Sequence, residues 1–235
     1  MISHKAIVAV TLHEVMAGAG LPANGEMLKV LRNWNNRAAR TRASYAMVLG
    51  LALIIVPPSV SAADFETGIE AFRAGETQQA FEAWHPLART GHPDAQLALG
   101  HMYEYGHGLA RDDAEAAFWY EKAAAQNNAE AQYRLGVLLD NGWGVPRNRA
   151  GAAAWYTRAA QLGHVFAQHD LAFMYLKGSG VPMDRVQAYK WLKIASQSRA
   201  DLMAKHLDHV SKTMTPAEVR EAERQARAWL NAQRL

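Results

Sequence analysis

Residues 95–124 read AQLALGHMYEYGHGLARDDAEAAFWYEKAA, and this stretch decides the fold because its pattern returns twice at a step of 36 residues. Seven of the positions that keep the same residue type in all three copies carry the pattern, with no insertion between the copies. They are Ala95, Ala131 and Ala167; Leu99, Leu135 and Leu171; Gly106, Gly142 and Gly178; Gly108, Gly144 and Gly180; Ala116, Ala152 and Ala188; Trp119, Trp155 and Trp191; and Ala123, Ala159 and Ala195. A fixed period of this length indicates a repeat architecture in which each unit is one supersecondary element.

Each unit reads as two helices joined by a glycine loop. In the first copy, apolar residues follow helical spacing over 94–105, and Gly-His-Gly at 106–108 ends that helix because glycine accepts left-handed backbone. A second apolar stripe with helical spacing follows after 113. We expect short polar residues to cap the second helices: Asp112 or Asp113, Asn148 and Asp184.

A pair of short helices cannot bury its apolar faces alone, whereas stacked pairs can. The sequence therefore predicts an all-α protein, a right-handed superhelical α/α solenoid of stacked helix pairs. Small residues at Gly100, Gly136 and Ala172 mark the points where neighbouring helices come close.

The repeated residues resemble the Sel1-like repeat, a longer relative of the tetratricopeptide repeat. The shared pattern is A-x-x-x-L-G-x-M-Y-x-x-G-x-G-[VL]-x-x-D-x-x-x-A-x-x-W-Y-x-x-A-A, and it covers about 93–200 in three copies. Departures are mild: Leu138-Leu139 replaces Met-Tyr, Leu192 replaces the second aromatic residue, and Ala172 replaces the glycine. The resemblance implies a protein that assembles or regulates complexes, with its first helices lining a concave face.

The segments beside the three repeats look like the ends of the array. Residues 63–92 resemble a degenerate N-terminal repeat that turns at Gly75 without a Gly-x-Gly loop. Residues 201–235 are expected to form C-terminal capping helices, since a solenoid needs terminal units with a polar outer face. The second of these helices begins with a capping box, Thr215-Pro216-Ala217-Glu218.

Residues 1–62 look like a leader. Basic residues precede an apolar run over 46–56, and small residues follow, which is the three-part pattern of a secretory signal peptide. We expect cleavage near Ala62 or Ala63 and a periplasmic or secreted protein. The alternative is an uncleaved anchor, the one route to a membrane in this interpretation, although eleven helical residues rise only about 16 Å against a bilayer core of about 30 Å. Translation from Met27 would give a leader of ordinary length.

Charge and cysteine content exclude several classes. Six of the 25 basic and two of the 22 acidic residues lie in 1–62, so the rest of the chain is close to neutral. That balance removes the electrostatic argument for a nucleic-acid partner. The chain has no cysteine, which excludes disulfides, thiolate metal sites and cysteine nucleophiles.

No catalytic residue, cofactor site or metal site is predicted, and we expect no enzyme. His206 and His209 share a helix face and could bind a metal with Asp208 or His169, but a solvated face explains them more simply. The Gly-x-Gly triplets follow helices, whereas a phosphate loop follows a strand. The tryptophan positions 119, 155 and 191 suit core packing better than carbohydrate stacking.

Positions that change between copies are candidates for binding, because stacking does not fix them. On the first helices these positions form one stripe per repeat. The predicted partner-binding residues are Leu97, His101 and Tyr105; Tyr133, Val137 and Asn141; and His169, Phe173 and Lys177. Drift on a solvated surface is the alternative explanation of the same variation.

The functional prediction is a non-enzymatic scaffold or adaptor in the bacterial cell envelope that binds a protein or peptide on its concave face. A cell-wall glycan-binding module is one alternative. A hydrolase acting on cell-wall or β-lactam substrates is another, which would require a polar cluster in a pocket.

Overall fold

The computed structural model describes residues 62–233, and within that range it is built from helices without any strand. The helices are α1 Ala62–Arg73, α2 Thr77–Arg89, α3 Pro93–Tyr105, α4 Asp113–Ala125, α5 Ala129–Asn141, α6 Arg149–Gln161, α7 Val165–Lys177, α8 Arg185–Ala195, α9 Ala200–Ser211 and α10 Pro216–Ala232. The prediction of an all-α solenoid of stacked helix pairs is confirmed. The predicted signal peptide, its apolar run at 46–56 and the start at Met27 lie outside the described residues.

The helices stack in chain order. Each of α1 to α8 packs against the helix that follows it, so that first and second helices alternate along the array. The last helix departs from this order, because α10 packs chiefly on α8. Trp191 of α8 meets Trp229 of α10 with ring centroids 5.9 Å apart. The described helices contain no segment that is both long and apolar enough to cross a membrane.

One turn position caps the first helix of every repeat. His92, Asn128 and His164 lie 36 residues apart, and each side chain accepts a hydrogen bond from the backbone N–H three residues on. The distances are 3.3, 3.0 and 3.1 Å. A side chain that accepts from an otherwise unpaired N–H fixes where a helix begins. His92 and His164 are therefore helix caps, as Asn128 is in the second repeat.

The second helices begin as the sequence predicts. Asp112, Asn148 and Asp184 cap α4, α6 and α8, which settles the choice between Asp112 and Asp113. At the C-terminal end, the Thr215 side chain accepts from the Glu218 N–H, and the Glu218 carboxylate accepts from the Thr215 N–H. The predicted capping box thus starts α10.

The two glycines of each loop have separate tasks. The first ends the helix in left-handed backbone, as at Gly142 with a φ of 77°. The second, Gly144, also has a positive φ, and it lies against the start of the preceding repeat's second helix. A Cβ atom at Gly144 would overlap the backbone of Asp113 and Ala114. The loop is therefore a contact between repeats as well as a turn.

A glycine on the first helix leaves room for a tyrosine on the second. A Cβ atom at Gly136 would lie 2.6 Å from Cε1 of Tyr156, and Gly100 faces Tyr120 in the same way. In the third repeat both partners change, to a buried alanine at 172 and a buried leucine at 192. The departures at 172 and 192 look independent in the sequence, but they form one packing exchange. Leucine has no ring, so it leaves room for the methyl group that alanine adds.

A buried glutamine follows each repeated alanine, and the sequence analysis missed it. Gln96, Gln132 and Gln168 lie 36 residues apart and are at least 96% buried. Each Nε2 donates to a carbonyl near the end of the preceding second helix, Ala88, Ala124 or Ala160, at 3.0 to 3.1 Å. Each of these carbonyls also accepts from a turn N–H, of Gly91, Asn127 or Gly163, so the glutamine is its second partner. The glutamine bonds tie each repeat to the one before it.

Candidate protein-binding surface

The first helices of successive repeats present neighbouring side chains. We call this the first-helix surface and define it by the nine predicted binding residues together with Glu104, Glu130, Arg134 and Asp170. The surface is continuous because Arg134 of the second repeat contacts Tyr105 and Glu104 of the first, and Tyr133 contacts Asp170 of the third.

The nine predicted residues differ in exposure. Tyr105, Asn141 and Lys177 are exposed, and Tyr105 keeps 50% of its surface accessible. The other six are partly buried: Leu97, His101, Tyr133, Val137, His169 and Phe173. Several of these, including Tyr133 and Phe173, also pack against the core. Replacing all the aromatic members at once would therefore disturb packing, whereas a change at Tyr105 tests the surface more cleanly.

Contacts among the nine occur within repeats. The rings of His101 and Tyr105 lie 6.1 Å apart, and those of His169 and Phe173 lie 4.7 Å apart. Tyr133 stacks on His164, the cap of the next repeat, at 4.5 Å. Each of the polar and ring contacts that join one repeat to the next includes at least one residue outside the predicted set.

Arg134 is the centre of the contacts that the sequence analysis missed. Its Nε lies 2.6 Å from Glu130, its Nη1 lies 3.6 Å from Glu104, and it donates to the Tyr105 hydroxyl. The Glu130–Arg134 spacing of four residues on one helix is a recognisable signal for a pair. Nothing in the sequence indicates that Glu104, from another repeat, joins it.

Two acidic groups on this surface are held by hydrogen bonds. A hydrogen bond from His164 at 2.8 Å, helped by Arg134, lowers the pKa of Glu130 to about 2. The Tyr120 hydroxyl donates to Glu104 at 2.5 Å, and burial, together with this carboxylate, raises the pKa of Tyr120. Glu130 is therefore ionised and Tyr120 protonated at neutral pH.

His101 has an unpaired nitrogen. Its Nε2 is buried and has no hydrogen-bond partner, and its ring meets Tyr120 edge-on at 5.6 Å. Burial, assisted by the charge of Arg134, lowers the pKa of His101, so the ring is neutral at pH 7.

The structure brings His169 and His206 together, with ring centroids 5.4 Å apart and edge-on. Burial, followed by the nearby His169 and His209, lowers the pKa of His206. Within residues 62–233, no group of three or more acidic or histidine side chains is placed to hold a metal ion.

The tryptophan positions lie in the core. Trp119 and Trp191 are only 7% and 4% exposed, and Trp155 is partly buried. A carbohydrate-stacking site needs an accessible ring face, which the buried rings at 119 and 191 do not offer. Two open clefts of the described part, one beside Trp119 and one between α8 and α10, are lined by no paired carboxylates and no serine–histidine pair.

The comparisons with known proteins agree with the repeats and the helical fold described above. The family model for the Sel1 repeat matches residues 93–128, 129–164 and 165–198. Among solved structures, the chain is similar to a Sel1 repeat protein from Oxalobacter formigenes, with 31% identity and a TM-score of 0.55 over 57% of this chain and 55% of that one. It is also similar to a protective antigen of uropathogenic Escherichia coli strains that displays an SLR fold. That match has 26% identity and a TM-score of 0.51 over 72% of this chain and 45% of that one.

Curated relatives match over one short stretch. The chain is similar to an exopolysaccharide production negative regulator of Rhizobium meliloti (strain 1021), with 39% identity over 62 residues. The protein with the same description in Rhizobium leguminosarum bv. viciae is 37% identical over 62 residues. Each match covers 26% of this chain and 23% of the relative, so the chain spans about a quarter of the length of these proteins.

Proposed function

We propose that this chain, whose residues 93–198 are three Sel1 repeats, is a non-enzymatic scaffold or adaptor that binds a protein or peptide on its first-helix surface. Sel1 repeats generally mediate protein–protein interaction, and the family is typically non-catalytic. The finer statement, that this chain binds through this particular surface, is the proposal.

The observation that carries the proposal is the contrast between repeated and changing positions. The repeated alanines at 95, 131 and 167 and the repeated leucines at 99, 135 and 171, which stack the repeats, are buried. The changing positions on the first helices include Tyr105, which contacts the next repeat and keeps half of its surface exposed. Exposed aromatic and arginine side chains in one continuous surface are typical of protein-binding sites.

We further propose that the scaffold acts in the bacterial cell envelope, in the periplasm or after secretion. The signal-like pattern over residues 37–63 supports this location, and so does the description of two relatives as regulators of exopolysaccharide production. Cell fractionation with an antibody against the chain tests it, and recovery of the protein with the cytosolic fraction alone would contradict it.

A matched pair of aromatic residues makes the binding surface testable. Tyr105 on α3 is 50% exposed and Phe118 on α4 of the same repeat is 46% exposed. The experiment captures partners with the full chain, tagged at its C-terminus and produced in its own host, after chemical crosslinking of intact cells. The wild type, Tyr105→Ala and Phe118→Ala are compared by quantitative mass spectrometry.

We expect Tyr105→Ala to reduce recovery of the captured protein about tenfold, because a half-exposed aromatic anchor contributes more than about 1 kcal/mol when it lies in an interface. Phe118→Ala should leave recovery unchanged, and the thermal midpoints should show that both variants are folded. Equal loss with both variants, or loss with Phe118→Ala alone, would place the binding surface elsewhere.

A further inference from the structure

One position of the first-helix surface carries opposite charges in the second and third repeats. Arg134 and Asp170 lie 36 residues apart, so they occupy the same position on α5 and α7. Arg134 has two carboxylates within 4 Å, those of Glu130 and Glu104. The cation of the second repeat is thus already neutralised by the protein itself.

Asp170 has no equivalent partner. Its carboxylate accepts from the Tyr133 hydroxyl at 3.3 Å and lies 2.8 Å from Nδ1 of His169. No lysine or arginine of residues 62–233 forms an ion pair with it, and its side chain keeps 36% of its surface accessible. Burial, reinforced by Asp170, raises the pKa of Tyr133, so the hydroxyl remains a donor. The carboxylate therefore carries its charge at an accessible point of the surface.

Tyr133 and His169 contact this carboxylate, and Phe166 and Phe173 lie about one helical turn before and after Asp170 on α7. We call Asp170 together with Tyr133, Phe166, His169 and Phe173 the Asp170 site. The rings of Tyr133 and Phe166 lie 6.3 Å apart, and those of His169 and Phe173 lie 4.7 Å apart. Phe166 is 47% exposed, so the site has an open aromatic wall.

These rings already attract cations from the chain itself. Arg199 lies 5.9 Å from the centre of the Phe166 ring, and Lys177 lies 5.9 Å from that of Phe173. A cation within about 6 Å of a ring face is stabilised by the ring quadrupole. Neither Arg199 nor Lys177 pairs with Asp170, so the carboxylate remains available to a third cation.

The second repeat shows what an arginine does in this setting. The Arg134 guanidinium pairs with carboxylates and lies 5.8 Å from the Tyr105 ring and 6.0 Å from the Tyr133 ring. The Asp170 site also combines a carboxylate with aromatic rings, but no guanidinium of residues 62–233 pairs with that carboxylate. Arginine suits such a place better than lysine, because its planar group stacks on rings and bonds a carboxylate through two N–H groups.

We propose that the Asp170 site receives an arginine side chain from an extended segment of the protein partner, an inference that rests on the proposed binding function. The guanidinium pairs with the Asp170 carboxylate and stacks against the exposed ring of Phe166. The partner is thus a protein whose bound segment carries an arginine at a fixed position.

A random twelve-residue peptide library displayed on phage is the probe. The library is selected on the full wild-type chain, on Asp170→Asn and on Asp140→Asn. The asparagine at 170 keeps the side-chain shape and an acceptor for Tyr133 but removes the charge. Asp140 is the matched control, because it is also a partly exposed acid on a first helix and already lies 3.6 Å from Arg149.

We expect arginine to be enriched at one fixed position of the peptides selected by the wild type and by Asp140→Asn. The Asp170→Asn variant should lose that enrichment, and a synthetic peptide from the wild-type selection should bind it about tenfold more weakly. Peptides without a fixed arginine, a fixed lysine in its place, or the same enrichment with Asp170→Asn would each overturn the inference.

Failure of the inference and failure of the proposed function give different results. If the selected peptides bind Tyr105→Ala more weakly but bind Asp170→Asn as well as the wild type, the proposed binding surface stands and only the arginine inference fails. Peptides that ignore both residues, or a wild type that enriches none, would contradict the function and the inference together.

Discussion

The interior of the repeats and their first-helix surface differ in how far the residue type is kept from one 36-residue copy to the next. In the interior, many positions keep their residue type, and one pair of contacting positions changes together, as Gly136 and Tyr156 become Ala172 and Leu192. On the first-helix surface, the same position holds Arg134 in one repeat and Asp170 in the next. The difference teaches that stacking fixes the interior and leaves the surface free to carry chemistry specific to one repeat.

The largest effect should come from the contact between a glycine loop and the preceding repeat. Gly144→Ala should lower the free energy of unfolding by about 3 kcal/mol, because the new methyl group would overlap backbone atoms at a position that also needs left-handed backbone. Denaturant unfolding followed by circular dichroism measures the loss.

Gly163→Ala is the matched control for Gly144→Ala. Gly163 also has a positive φ, of 88°, but no atom lies within 4 Å of the place where its Cβ would be. Its substitution should cost about 1 kcal/mol, the conformational part alone. Equal losses in the two variants would mean that the loop contact adds nothing to stability.

A smaller effect on the free energy of unfolding should show whether the changes at positions 136 and 156 are coupled. Gly136→Ala crowds the Tyr156 ring, and Tyr156→Leu leaves a cavity, so that each single variant should lose about 2 kcal/mol. The double variant reproduces the pairing of the third repeat. It should be more stable than the sum of the two losses predicts, by about 1 kcal/mol, in a double-mutant cycle measured by urea unfolding. Additive losses would show that the exchange at 172 and 192 is coincidental.

The smallest effect concerns the surface pair and depends on pH. The folded-state pKa of Glu130, about 2, lies below the ordinary value of about 4.3, so the stabilisation is present above pH 4.3 and is lost as the pH falls towards 2. Because a third of the side chain is exposed, the effect should stay below about 1 kcal/mol.

Glu130→Gln should therefore be less sensitive than the wild type when the urea midpoint is compared between pH 7 and pH 3. Glu115→Gln, an exposed position on α4, serves as the control and should keep the wild-type sensitivity. An unchanged pH dependence in Glu130→Gln would show that the contacts of Glu130 with His164 and Arg134 do not stabilise the fold.

The interior was predictable because periodicity and residue size both report on stacking. The repeated alanines and leucines, the loop glycines and the caps at Asp112, Asn148 and Asp184 follow from the sequence. The glutamine ladder of Gln96, Gln132 and Gln168 carried the same 36-residue signal. It was missed because glutamine is typical of exposed positions, and only the structure shows the carbonyls to which its side chains donate.

The surface was predictable only as a stripe of changing positions. Its location on the first helices follows from the repeat, but its pairing does not, because Arg134 meets Glu104 from another repeat, 30 residues away. The packing position of α10 also could not be predicted from the sequence. Its spacing of Ala222 and Ala226 reveals an apolar face, but not that α8 is the helix it covers.

The fold of α10 onto α8 has a consequence for the length of the array. A solenoid whose last helix pair stays open invites another unit, or another molecule, to continue the stack. Here the chain turns back and occupies that boundary, with arginine side chains at 220, 224 and 227 facing solvent. We therefore expect α10 to keep another unit from continuing the stack, and a chain shortened before Pro216 should expose the face of α8 that α10 covers.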